Sequence, residues 1–475
     1  MTKVRLNDLK YRYDVYQMLN LFYSFNDIDF VEGDYDIDVE INLHNIVINN
    51  KEISKIYNLL EEVPVKEQIK KSVFLFLKDL TGKELPWGTL IGIRPSKIAT
   101  SLLNEGMKED EIVGYFYDHY LASEEKAKLC MEVAKNERET VTKNRDSISV
   151  YIGMPFCPTR CLYCSFTSNP IGGNKALVES YLQALNYEIE ELGKFINEHN
   201  LNIQCVYFGG GTPTSVNDSQ FEEVMKKIFN TFVEGRNIEE FTVECGRPDS
   251  ITESKLKTMK NYLVGRISIN PQTMNDDTLK AIGRNHSVSE VKNCFNLARQ
   301  LGFDNINMDI IVGLPGEGID HVKNTCEEIQ ALNPENLTVH GMSVKRASKL
   351  YEKLLDNYKL KELKQSEINE MYNVTAELSK KLHMKPYYMY RQKNMVGNME
   401  NVGYAKADKE GIYNIQMIED TQTIIALGAD AVSKIVFFEE NRIERFANVK
   451  DIKEYVNRIE EMVSKKIELL GSLYN

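Results

Sequence analysis

Between residue 146 and about residue 345 the chain repeats one pattern six times, a short β-rich run followed by a longer helical one. The runs are SISVYIG, IQCVYFG, EEFTVEC, GRISIN, INMDIIVG and NLTVHGMS. Patterns such as KALVESYLQALNYEIEELGKFI and SVSEVKNCFNLARQLG separate them. Strands joined through helices run parallel, with the helices outside the sheet. Six units predict an α/β fold, a partial (β/α)6 barrel of the triosephosphate-isomerase type. In such barrels the chemistry sits where strands end. Unusual residues should therefore cluster just after each run.

The flanks read differently. Residues 1–145 predict an α+β N-terminal domain. There DYDIDVEINLHNIVINN alternates as a hairpin or small sheet, and EISKIYNLLEEV and VKEQIKKSVFLFLKDL read as helices. Residues 346–475 predict a helix-rich C-terminal domain over the substrate side, with a β-like interruption at GIYNIQMIED. The amphipathic VKDIKEYVNRIEEMVSKKIELL ends the chain as a packed surface helix.

Net charge is −12 and no Lys/Arg block stands out. That argues against wide, non-specific nucleic-acid binding, which needs many basic contacts to phosphate. The polar start, MTKVRLNDLKYRYD, lacks the apolar core of a secretory signal. The longest apolar runs, such as VFLFL, fall far short of the ~20 residues a membrane span takes. A cytoplasmic location is expected, and there a disulfide framework is not.

Of eight cysteines, Cys157, Cys161 and Cys164 crowd into MPFCPTRCLYCSF, just after the first run. Thiolates this close must lie on a loop, facing one object. Structural zinc takes four ligands, and no fourth Cys or His lies in the loop. Iron–sulfur clusters prefer thiolates. A four-iron cluster held by three cysteines leaves one iron open. Three structural thiols, or zinc, are the alternatives.

The later strand ends also carry polar groups. FGGGTPT follows the second run, with Gly210, Gly211 and Thr212. Its glycines allow close backbone approach, and no Gly-Lys-Ser/Thr follows to make it a phosphate loop. Glu244 lies in VECGRPDSIT, Gln272 in SINPQTM, Arg284 in IGRNHS and Asp309 in NMDIIVGLPGE. A carboxylate such as Glu244 suits a diol, because it accepts two O–H bonds.

The cysteine loop resembles the radical S-adenosylmethionine (SAM) superfamily. The set YIGMPFC, CLYCSF, FGGGTPT, ISINPQTM, GRNHS and MDIIVGLPGE is similar to oxygen-independent coproporphyrinogen III oxidase, also called coproporphyrinogen dehydrogenase. PYYMYRQKNMVGNMENVGYA and ALGADAVSK resemble its HemZ-type branch. The resemblance covers residues 148–345 well and the C-terminal stretch more weakly.

The resemblance implies a 4Fe-4S cluster on Cys157, Cys161 and Cys164, whose open iron binds SAM. A 5′-deoxyadenosyl radical then removes a hydrogen from a propionate β-carbon, carbon dioxide leaves, and one electron is taken up elsewhere. Two propionates become vinyl groups, giving protoporphyrinogen IX. Tyr151, Tyr163, Gly210 and Glu244 would serve this SAM. Gly211, Thr212, Gln272, Arg284 and Asp309 match positions for a second SAM or the substrate end, with Arg284 and Gln272 in the catalytic set. The implied partners are a porphyrinogen and a low-potential electron donor such as flavodoxin or ferredoxin.

One departure stands out. The best-characterised branch has a fourth cysteine where this chain has Phe166. The same change occurs in relatives that bind or degrade haem. A haem-binding or haem-transfer protein, and a haem-modifying radical SAM enzyme, are therefore alternative readings, and His340, in LTVHGMS, is either a satisfied core histidine or a group that ligates haem or shuttles a proton. The tyrosines and asparagines of PYYMYRQKN either line a porphyrin pocket or pack ordinarily.

Overall fold

The computed structural model describes residues 1–23, 27–141, 144–356, 363–393 and 395–474. They fall into two compact units. One comprises Met1–Met131, Lys364–Asn369 and Arg391–Met399. The other comprises Glu132–Leu363, Glu370–Tyr390 and Glu400–Asn475.

In the first unit, strands β1 (Thr2–Leu6), β2 (Ile28–Phe30), β3 (Ile37–Ile41), β4 (Asn45–Asn49) and β5 (Ser54–Asn58) form one sheet, in the order β2-β1-β3-β4-β5. Val4, Val39, Ile46 and Ile48 pack with Val15, Met18, Phe74 and Leu77 of the helices Arg12–Phe22 and Val65–Thr81. Here EISKIYNLLEEV corrects the helical expectation, because its centre is β5. Ile53, Ile56 and Leu59 have helical spacing, but the Asn50 side chain accepts from the N–H groups of Glu52 (3.0 Å) and Ile53 (2.6 Å). That Asx turn folds the chain back on β4 as a hairpin.

The second unit is built on β6 (Ser147–Met154), β7 (Phe156–Cys157), β8 (Asn169–Pro170), β9 (Asn202–Gly210), β10 (Glu240–Gly246), β11 (Arg266–Ile269), β12 (Ile306–Val312), β13 (Asn336–Gly341), β14 (Lys385–Tyr390), β15 (Asn401–Ala405), β16 (Thr423–Leu427), β17 (Val432–Phe437) and β18 (Arg442–Ala447). Except for the small β7–β8 pair, these form one sheet, ordered β14-β15-β13-β12-β11-β10-β9-β6-β16-β17-β18. All six expected runs are strands, and they are parallel neighbours. A seventh strand, β16, lies parallel beside β6. Antiparallel strands extend both flanks, and among the described residues no pairing joins β14 to β18, so the sheet is open.

Period-two alternation divides the sheet into faces. Val150, Phe208, Val243, Ile267, Met308 and Val339 give a fully buried apolar face. The other face is polar. Tyr151, Tyr207, Thr242 and Arg266 lie side by side across four strands, and Glu244, Ser268, Asn307 and Asn336 form a second row.

The C-terminal stretch is more strand-containing than expected, because β14–β18 all join this sheet. GIYNIQMIED, read as β-like, is the helix Ile412–Glu419. Glu240 accepts from the free N–H groups of Ile412 (2.5 Å) and Tyr413 (3.4 Å) at its first turn, which satisfies a helix start. The final amphipathic stretch breaks at Arg458 into the helices Ile452–Asn457 and Ile459–Tyr474. Among the described residues no helix is long and apolar enough to cross a membrane.

Candidate active site

The cysteine loop leaves the C-terminal end of β6 and is closed at its base by the parallel β7–β8 pair. Leu162 N–H donates to Ile282 O at 2.9 Å, and Thr159 Oγ1 to Gly283 O at 2.9 Å. Leu350 N–H donates to Leu162 O at 2.9 Å. The loop is thus pinned to the turn that carries Arg284.

Each of the three sulfurs faces a donor. Thr212 Oγ1 lies 3.3 Å from Cys157 Sγ, Ser168 Oγ lies 3.6 Å from Cys164 Sγ, and Arg247 Nη1 lies 3.9 Å from Cys161 Sγ. Burial pushes the Cys157 thiol up to about 12, although the Thr212 hydrogen bond pulls the other way. A metal would have to displace that proton, which coordination does outright.

Among the described residues no three His, Cys, Asp or Glu side chains converge as ligands of one metal ion. A four-iron cluster asks for something different, because each thiolate binds its own iron. Sulfurs spread along one loop, each met by a hydrogen-bond donor, fit that group.

The glycine turn after β9 packs against this loop. Gly211 N–H donates to Met154 O (2.6 Å), and Thr212 N–H to Phe156 O (2.8 Å). A Cβ on Gly211 would sit 2.7 Å from Phe156 O and 3.0 Å from Cys157 Sγ. Gly210 has φ +105°, and a Cβ there would lie 2.8 Å from Met154 N. The approach these glycines permit is to the cluster loop's own backbone.

Beyond the turn, Glu244 Oε2 would stand 2.7 Å from a Cβ on Gly209, so the glycine makes room for the carboxylate. Burial and the nearby Asp309 charge push the Glu244 carboxyl up to about 7. Burial also pushes Asp309 up, but His340, Asn307 and Thr338 outweigh it and hold the carboxyl below its ordinary value. Asn307 Nδ2 donates to Asp309 Oδ1 at 2.7 Å, and His340 Nε2 is 3.7 Å from Oδ2.

Gln272 is held with φ +68°, where side chains are strained. Its N–H donates to Asp309 O, and its carbonyl accepts from Ile311 N–H, both at 2.9 Å. Its buried Oε1 has no hydrogen-bond partner among the described residues, like Asn270 Oδ1, Ser268 Oγ and Arg284 Nε. Arg284 is buried and donates to Asn270 O at 2.6 Å. Burial opposes its charge, while Tyr163 and Cys161 beside it favour it and raise it above the ordinary arginine value. Tyr151 lies within an aromatic stack with Tyr207 and Tyr413, the latter two 4.5 Å apart.

Tyr387 and Tyr388 of PYYMYRQKN pack with Ala405 and Ile415. Tyr390 is half-buried, and burial, then the charges of Asp309 and Glu244, raise its phenol. Arg391 lies over the Trp87 ring and donates to Asn398 O at 2.8 Å. Asn394 lies outside the described residues. Phe166 is 72% exposed.

Sequence reasoning passed over Arg247 and Asp249, which follow β10, and the Gly428–Asp430 turn after β16. The signal for the first pair was present: two opposite charges beside a proline, directly after a strand. Thr167 Oγ1 of the cysteine loop donates to Asp430. Strand alternation in RISIN would also have marked Arg266, Ser268 and Asn270 as one face.

Residues 151–329 match the Radical SAM superfamily. The chain is 41% identical over 413 residues to the oxygen-independent coproporphyrinogen-III oxidase-like protein HemZ of Bacillus subtilis, covering 86% of this chain and 82% of that one. It is 30% identical over 313 residues to the heme chaperone HemW of the same organism, covering 66% and 76%. The coproporphyrinogen III oxidase HemN of Escherichia coli shares the fold, with a TM-score of 0.53 at 20% identity over 68% of this chain and 72% of that one. With its cysteine loop, glycine turn and polar sheet face, the chain belongs to the radical SAM superfamily, in the HemZ-type branch of the oxygen-independent coproporphyrinogen III oxidase family.

Proposed function

We propose that this chain catalyses oxygen-independent oxidative decarboxylation of coproporphyrinogen III to protoporphyrinogen IX. Cys157, Cys161 and Cys164 would hold the 4Fe-4S cluster on their donor-lined loop. The cluster and SAM supply a one-electron hydrogen abstraction when bound. Tyr151, Tyr163, Gly210 and Glu244 surround SAM in this reading, with Glu244 accepting from the ribose hydroxyls. Gly211, Thr212, Gln272, Arg284 and Asp309 serve the substrate end or a second SAM.

The observation that carries this reading is Gln272. A side chain kept at φ +68° with an unpartnered buried oxygen is strain and lost hydrogen bonding together. Such a cost persists where a ligand completes the site. The buried Arg284 fork in the same region suits a propionate carboxylate. A partial barrel, formed by curvature of the open parallel sheet, would gather these groups around one ligand.

Anaerobic turnover of reconstituted, reduced protein with SAM and coproporphyrinogen III tests this, read by mass spectrometry. Loss of two carboxyl groups with formation of 5′-deoxyadenosine is the expected result. Formation of 5′-deoxyadenosine with unchanged porphyrinogen would reject the substrate. The exposed Phe166 and the similarity to a heme chaperone favour haem binding as the second reading, which predicts stoichiometric haem uptake without turnover.

A further inference from the structure

The turn after β10 places a buried ion pair against the cysteine loop. Arg247 is 2% exposed. Its Nε donates to Asp249 Oδ1 at 3.0 Å, and its Nη2 to Oδ2 at 2.6 Å, a bidentate fork. The remaining nitrogen, Nη1, reaches the loop. It donates to Thr159 O (3.0 Å) and Oγ1 (2.7 Å) and lies 3.9 Å from Cys161 Sγ. The fork is braced in turn, because Ser250 Oγ donates to Arg247 O at 2.9 Å and pairs with Thr214 Oγ1 at 2.7 Å. His286 Nδ1 stands 3.8 Å from Asp249 Oδ1.

From this geometry we propose that Arg247 is a positioning residue that fixes the cluster loop at Thr159 and sets the cluster's reduction potential through Cys161. The inference rests on the cluster assignment above. Hydrogen bonds and charge at a ligating sulfur tune a cluster's potential. Reduction adds one electron, so a cation facing the thiolate favours the reduced form. Asp249 on the far side of the guanidinium orients the pair with its positive end towards Cys161 and offsets part of its charge. A lysine cannot hold Asp249 and Thr159 at once, because it lacks the planar fork.

The test is an anaerobic redox titration of the full chain, followed by electron paramagnetic resonance, with iron content measured on the same samples. Arg247→Gln should lower the reduced-to-oxidised ratio at fixed applied potential by about tenfold, or about 59 mV for one electron. Asp249→Asn should move the ratio the other way, since the cation loses its counter-charge. Opposite shifts at parental iron content support the proposal. A scaffold role alone would lower iron in both variants and leave the potential of the remaining cluster unmoved, which would overturn it. Should Arg247→Gln not retain iron, Asp249→Asn decides alone, a raised potential supporting the proposal and an unchanged one rejecting it. If the parent itself assembles no cluster, the cluster assignment fails, and this inference with it.

Discussion

Glu244 carries the clearest pH signature of any single residue in the site. Its carboxyl is raised to about 7, with burial first and Asp309 second among the causes. The unfolded chain would release this proton near the ordinary glutamate value, about 4.3. Between those values the folded state therefore holds more protons than the unfolded state. Stability falls as pH rises through this window, and the full cost is present above pH 7. Because Glu244 keeps partial exposure, we expect on the order of 1–2 kcal/mol, less than full desolvation would give. Glu244→Gln should remove that pH-dependent loss, so the variant gains on its parent from pH 5 to 8 in denaturant titrations. SAM binding should show the opposite trend, since a ribose diol needs the ionised carboxylate as acceptor. Parental affinity should rise up to roughly tenfold between pH 6 and 8, with Glu244→Gln flat in calorimetry. A flat parental profile would separate Glu244 from the ribose.

At the scale of elements, the turn after β9 is built for contact with the cysteine loop. An alanine at Gly211 would place its Cβ 2.7 Å from Phe156 O, 2.9 Å from Met154 O and 3.0 Å from Cys157 Sγ. Two of those neighbours are backbone, so the turn must move. Gly211→Ala should cost about 1–3 kcal/mol, as overpacking does. It should also cut iron uptake on reconstitution by more than half, because Thr212 leaves Cys157 with the turn. Iron analysis and thermal melting check both, and parental iron content would show the contact to be dispensable. This tight turn was legible as FGGGTPT because glycine runs have few other uses. The six parallel strands were legible for a similar reason: β-branched runs alternate with long helical patterns. Strand β16 was not. TIIAL is short and, after its threonine, apolar, and its partner Ser147–Met154 lies far away in sequence, so nothing local announces the pairing. The same holds for Ile412–Glu419, whose β-branched composition is overridden by the Glu240 cap and by Tyr413 stacking on Tyr207. The cysteines and the polar strand-end residues could be named from sequence. Of their sulfur donors, Ser168 could not, because it becomes meaningful only when the loop is folded; Arg247 was marked by its place beside Asp249 after a strand, but its reach to Cys161 was not.

At the scale of the whole chain, the helix Lys175–Glu198 ties segments remote in sequence to the strand that feeds the cysteine loop. Glu188 is fully buried and accepts from Lys466 Nζ (2.6 Å), Tyr455 Oη (2.5 Å), Gly428 N–H (2.8 Å) and Asn448 Nδ2 (2.9 Å). Two turns earlier on the same helix, Tyr181 Oη donates to Gly153 O at 2.5 Å, at the end of β6. Gly428 closes the circuit, since a Cβ there would sit 2.5 Å from Gly153 O. A buried ion pair of this kind gives little net stability over an apolar pair, yet breaking it strands a charge. Lys466→Met should therefore cost about 3–5 kcal/mol, because Glu188 keeps its neutral donors but loses its counter-charge. The double variant Glu188→Gln/Lys466→Met should recover most of that loss, because glutamine removes the stranded charge and keeps an acceptor for Tyr455 and Gly428. Calorimetric unfolding of both proteins distinguishes the causes: recovery in the double variant identifies the stranded charge, whereas equal losses would identify packing. Recovered stability without recovered iron uptake would show that Glu188 also orders the Gly428 turn against β6. The last helix would then act on the cysteine loop across most of the chain's length, through hydrogen bonds that no local pattern encodes.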